Sequence, residues 1–134
     1  MQSTLATLTT FCTILGAGAL QAAVVRCPAD LSSPHPGFEQ MGTTPARPAP
    51  LENMRLFDGK PGEETRASPA DLAPDESVEH RGGFISHWTF AGSEGLLMVC
   101  AYKGSKTYLR TQPRPMPKRC TLDTSPTRTN ASCE

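Results

Sequence analysis

Cys27, Cys100, Cys120 and Cys133 are the residues of this 134-residue chain best suited to a defined chemistry, which is oxidative pairing. A fifth cysteine, Cys12, falls in an apolar leader. An even set of cysteines in a small exported domain reads as two disulfides formed in an oxidising compartment. Four cysteines allow three connectivities. Cys120 and Cys133 stand on the two arms of a hairpin about Ser125-Pro126-Thr127, so their pairing closes a short loop and leaves Cys27 to Cys100. The cysteines have no C-x-x-C spacing, and His35, His80 and His87 contain no i, i+4 pair. Neither zinc nor any other metal or cofactor is expected on these spacings.

Asp71, Asp75, Glu76 and Glu79 are the second cluster. Closely spaced carboxylates can share acid–base work, but their usual meaning beside turn residues is a solvated acidic face. These four are the candidate partner-binding residues. Ser86 and His87 are adjacent, so strand alternation sends them to opposite faces and prevents a nucleophile–base arrangement. Asn130-Ala131-Ser132 matches a glycosylation sequon, which matters only in a eukaryotic secretory pathway. No catalytic residue is assigned, and the chain is expected to act by binding rather than as an enzyme.

Charge supports that expectation. Thirteen basic residues balance thirteen acidic ones, a net charge of zero that lacks the basic excess required by nucleic acid. The charges are nevertheless segregated. Acidic residues dominate from Glu52 to Glu79, while Lys103 to Arg119 holds Lys103, Lys106, Arg110, Arg114, Lys118 and Arg119 without an acid. The acidic segment suits a basic partner, and the basic segment is the second candidate surface.

The elements that must position these residues are mainly β. Residues 1–22 have no charged side chain and end in small residues, as a cleaved export signal does. Residues 23–134 then form one domain, with no membrane span after cleavage. Residues 22–27 are a short β-branched run that can start the sheet. Residues 28–50 are rich in proline and read as an extended surface loop. Asn53–Phe57 is a strand candidate closed by Asp58-Gly59. Ser68-Pro69-Ala70-Asp71 carries a capping pattern for one helical turn, stopped by Pro74. Phe84–Phe90 alternates, and Leu96–Tyr102 is the most apolar strand, which places it centrally. Lys106–Thr111 is its hairpin neighbour, residues 112–117 run as polyproline, and Arg119–Asp123 with Thr129–Cys133 form the last hairpin. The expected architecture is a small antiparallel sheet, or a partly open barrel, of six or seven short strands.

The order Arg26-Cys27-Pro28, Leu56-Phe57-Asp58-Gly59, Leu72-Ala73-Pro74-Asp75, Met98-Val99-Cys100-Ala101-Tyr102, Arg114-Pro115-Met116-Pro117 and Arg119-Cys120 resembles a family of small proteobacterial periplasmic proteins. Some of its members are encoded near type VI secretion clusters. The resemblance implies an immunity protein that inhibits a cell-wall-degrading effector in the periplasm, and therefore a basic peptidoglycan-acting partner. Two alternatives stand beside it. One is a periplasmic inhibitor of lysozyme-like enzymes, although the Ser-Gly-x-x-Tyr loop of such inhibitors is absent here. The other is a structural or assembly factor of the cell envelope.

Overall fold

Period-two alternation recurs along the chain, and the described residues form ten strands, all paired antiparallel. They are β1 (Val25–Arg26), β2 (Asp30–Leu31), β3 (Glu39–Met41), β4 (Ala49–Asp58) and β5 (Glu76–His80), followed by β6 (Gly83–Thr89), β7 (Leu96–Tyr102), β8 (Tyr108–Thr111), β9 (Arg119–Thr124) and β10 (Thr129–Cys133). This computed structural model describes residues 23–32, 34–67, 69–92 and 95–134. The expected export signal lies outside the described residues.

The strands form two five-stranded sheets. The first has the order β1-β10-β9-β6-β5 and the second β2-β4-β7-β8-β3. Their facing sides enclose the main core. Leu31, Leu51, Met54, Leu56, Met98 and Leu109 come from the second sheet, and Trp88, Leu122 and Ala131 from the first. Each such burial contributes on the order of 1.5–3 kcal/mol.

Strand β7 is central, with β4 on one side and β8 on the other. Its unbroken apolar run has a physical cause, because both of its faces are covered. Leu96, Met98, Cys100 and Tyr102 face the main core, whereas Leu97 and Val99 join Phe57 in a second apolar cluster against Tyr108.

Both expected disulfides are present, Cys27–Cys100 and Cys120–Cys133. The first joins the segment after β1 to β7 and so ties one sheet to the other. Its position is supported by the Cys27 N–H donating to the Ala131 carbonyl at 2.9 Å and by the Tyr102 hydroxyl donating to the Pro28 carbonyl at 2.9 Å. The second links residues directly opposite one another on β9 and β10, with Cα atoms 4.0 Å apart.

The mainly β class is as expected, and four details differ. The described residues make two sheets and ten strands, where the sequence suggested one small sheet or partly open barrel of six or seven. The proline-rich stretch is not wholly a loop, because β2 and β3 pair with β4 and β8 and β4 begins at Ala49. Pro69 to Pro74 carries no helix; the strap is held extended by bonds to both sheets, which outweigh a local capping signal. The helical turn among the described residues is a 3-10 turn at Glu63–Thr65. Finally, Glu76 and Glu79 lie on a strand, β5, and not on a loop.

Candidate functional site

Residues 69–75 form a strap that bonds to β4 in the second sheet and runs into β5 in the first. Leu72 N–H donates to the Leu56 carbonyl at 2.7 Å, and the Trp88 indole N–H donates to the Leu72 carbonyl at 3.0 Å. Asp75 N–H donates to the His87 carbonyl at 2.9 Å. Trp88 thus has an apolar body in the core and a polar tip that fixes the strap. A cavity of about 360 Å³ is lined by strap residues Asp71, Leu72 and Pro74 together with Met54, Arg55 and Trp88.

The two acids of the strap are engaged internally. Asp71 accepts from Arg55 Nε at 3.3 Å, and the Arg55 guanidinium lies 5.0 Å from the Phe57 ring centroid. The Asp75 carboxylate accepts from both the hydroxyl and the N–H of Thr89, at 2.8 and 2.7 Å. These bonds hold both carboxyls below their usual range: for Asp71 the Arg55 hydrogen bond is the main cause, and for Asp75 the Thr89 hydroxyl.

Glu76 and Glu79 differ. Both are exposed on β5, and neither forms an ion pair among the described residues. Register places Glu76 opposite His87 and Glu79 opposite Phe84, so the two carboxylates flank the hairpin on opposite faces. His87 Nδ1 meets the Thr121 hydroxyl at 3.2 Å on one face, and the Ser77 and Ser86 hydroxyls meet at 2.8 Å on the other. Ser86 and His87 therefore have separate partners and form no relay.

The β5–β6 turn consists of Arg81 and Gly82, with φ of 49° and 76°. A two-residue turn with both φ positive matches the twist of a hairpin. Gly83 is required for a different reason, since a Cβ there would fall 1.6 Å from the Thr124 carbonyl oxygen. The hairpin exposes two large apolar side chains, Val78 at 49 % and Phe84 at 55 %. Phe84 lies in the alternating segment expected from the sequence but at its exposed end, whereas Val78 belongs to a strand not expected from the sequence. The alternation of Ser77-Val78-Glu79 before Arg81-Gly82 was the available signal.

The remaining charges are divided. Glu64 is only 3 % exposed, and it accepts from Arg110 Nη1 at 2.5 Å, from Tyr108 at 3.2 Å and from Gly62 N–H at 2.9 Å. Burial pushes its pKa up, but the hydrogen bonds, with Arg110 foremost, and the Arg110 charge hold it below 4.5. Burial and the neighbouring Glu64 charge push the Tyr108 hydroxyl up. Arg110 also pairs with Glu39 at 3.0 Å, which removes it from the basic candidate surface. The rest of that surface is not one patch. Lys103 shares a cavity with Pro126 and Arg128 beside the β9–β10 turn, whereas Lys118 and Arg119 lie at the far end of β9.

What this arrangement offers is recognition by charge, hydrogen-bond acceptors and apolar side chains. Among the described residues no group of three or more His, Cys, Asp or Glu comes together to hold a metal ion. A family model described as the type VI secretion system Tli immunity protein matches residues 45–134. No curated protein and no solved structure matches the chain.

Proposed function

The chain belongs to the type VI secretion system Tli immunity protein family, and on that premise we propose that it protects its host by binding an effector toxin in the periplasm. The family match carries this reading. The export signal expected at residues 1–22, the single domain expected at 23–134 and the two disulfides are consistent with folding outside the cytoplasm. Inhibition is by occupation of the toxin and involves no catalysis by this chain. The toxin class expected from the sequence is a basic enzyme that degrades the cell wall.

The region proposed to meet the toxin is the acidic strap and edge strand that carry Asp71, Asp75, Glu76 and Glu79. Asp71 and Asp75 hold the strap, and Glu76 and Glu79 are the carboxylates free to make new pairs. Charges at an interface chiefly accelerate encounter and add affinity where they are desolvated.

The test uses the effector encoded beside this gene. Glu76→Lys with Glu79→Lys is expected to weaken effector binding about tenfold, slow association and abolish protection of a target strain, with melting unchanged. High salt is expected to slow association of the wild type and to affect the double variant less. Unchanged affinity and protection in a folded double variant would remove this surface from the proposal. Assaying purified effector on peptidoglycan and on phospholipid separately decides the toxin class, and wall cleavage is the expected result.

A further inference from the structure

We propose that the effector binds by adding an extended, basic strand of its own to the free edge of β5. This inference rests on the immunity reading and names the mode of recognition at the same surface.

Strand β5 ends the first sheet, and all five of its residues are exposed. The direction of its main-chain groups follows from β6. Phe90 N–H donates to the Lys118 carbonyl, and Phe84 N–H donates to the Thr124 hydroxyl, both towards β9. Thr89 N–H instead donates to Asp75, and the His87 carbonyl accepts from Asp75 N–H, both towards β5. Successive residues of an antiparallel strand bond to alternate sides, so Ile85 also bonds towards β5. Glu76 stands opposite His87 and Val78 opposite Ile85. Their main-chain groups are therefore spent on the ladder, and those of Ser77 and Glu79 point away from the sheet.

Natural sheet edges are usually blunted by lysine, proline, a bulge or a covering segment. Strand β5 has no lysine or proline, and its register to β6 runs unbroken from Glu76 to His80. What it has instead is negative charge, from Glu76 and Glu79. A second copy would bring the same carboxylates to the edge, and like charges across a strand pair are unfavourable. A strand carrying Lys or Arg gains where a copy loses. Val78 and Phe84, two of the exposed large apolar side chains, lie on opposite faces of the hairpin and give an added strand apolar contact on both sides. Strand addition takes affinity from the main chain and specificity from alternate side chains.

The outward N–H of Ser77 allows a selective test, because proline is tolerated at an edge where its missing donor faces solvent. Ser77→Pro in the full mature protein is expected to bind the cognate effector about tenfold more weakly, and Ser77→Ala within about twofold of wild type. In wild type, the amides of Ser77 and Glu79 are expected to exchange rapidly when free and slowly in the complex, with those of Glu76 and Val78 slow in both. The exchange measurement decides the matter if Ser77→Pro fails to fold. Wild-type affinity in a folded Ser77→Pro, or equal exchange at Ser77 and Glu79 in both states, overturns strand addition while leaving the immunity reading intact. No binding by the wild type overturns both. A wild-type dimer that Ser77→Pro dissolves shows that the edge takes a second copy, and overturns the basic strand as its occupant.

Discussion

Glu64 and Glu79 belong to one acidic stretch of sequence, and the fold uses them in opposite ways. Glu64, in the 3-10 turn, bonds Tyr108 and Arg110 beside the apolar cluster of Phe57, Leu97 and Val99, and its side chain is only 3 % exposed. Glu79 stands on the bare edge of the first sheet with no internal ion pair among the described residues. The covered region takes up its charges in folding, through Arg110, Tyr108 and Glu39. The edge leaves its charges, its main-chain groups and two apolar side chains free. Stability and recognition are thus expected to depend on different residues of the same type.

The strongest way to break this division is to remove what both regions share. Cys27–Cys100 closes a separation of 73 residues and joins the sheets, whereas Cys120–Cys133 closes one of 13. Chain-entropy reasoning assigns about 4 kcal/mol to the first and about 3 kcal/mol to the second. Cys27→Ser with Cys100→Ser is expected to abolish cooperative folding and effector binding together, and denaturant unfolding followed by circular dichroism measures the loss. Retention of full binding by the unbridged protein would show that the β5 edge does not need the second sheet.

A sharper cut acts on one region alone. Glu64→Ala leaves Arg110 with Glu39 but removes its charge-assisted hydrogen bond to Glu64, and is expected to cost about 1.5–3 kcal/mol. Effector affinity of the folded fraction should not change, which is the reverse of the outcome expected for Glu76→Lys with Glu79→Lys. The pH dependence follows from the same carboxylate. Its pKa is lower in the folded chain than its ordinary 4.5, so its stabilisation is complete above about that value. It is lost as pH falls through the lower folded value. Glu64→Gln should therefore flatten the decline of melting temperature on acidification below about pH 4.5. An acid limb as steep as that of wild type would show that other carboxylates govern it.

The smallest effect is expected at the boundary between the regions. Arg55 and Asp71 are 35 % and 47 % exposed, so their ion pair is worth under about 1 kcal/mol. A double-mutant cycle with Arg55→Ala and Asp71→Ala measures it. A coupling well above that value would make the strap a structural clamp, and would move Asp71 from the recognition side of the comparison to the folding side.

The sequence by itself determined the short Cys120–Cys133 closure as the favoured pairing, the apolar centre of β7 and the last hairpin, while the structure decided that Cys27 joins Cys100. Each is a local or strongly patterned feature: a short loop between Cys120 and Cys133, an unbroken apolar run, a Ser-Pro-Thr turn between alternating segments. It also carried the resemblance that the family match supports. Only the tertiary structure decided the rest. Pro69–Leu72 has the chemistry of a helix start, but its main chain is taken by Leu56 and Trp88 across two sheets. β2 and β3 exist because β4 and β8 offer them open ladders, which no local propensity reports. Glu64 and Glu79 are alike in type and in neighbouring charge. Whether such a carboxylate is buried against an arginine depends on a partner 46 residues away along the chain, and a long-range pairing of that kind is fixed by packing rather than by adjacent sequence.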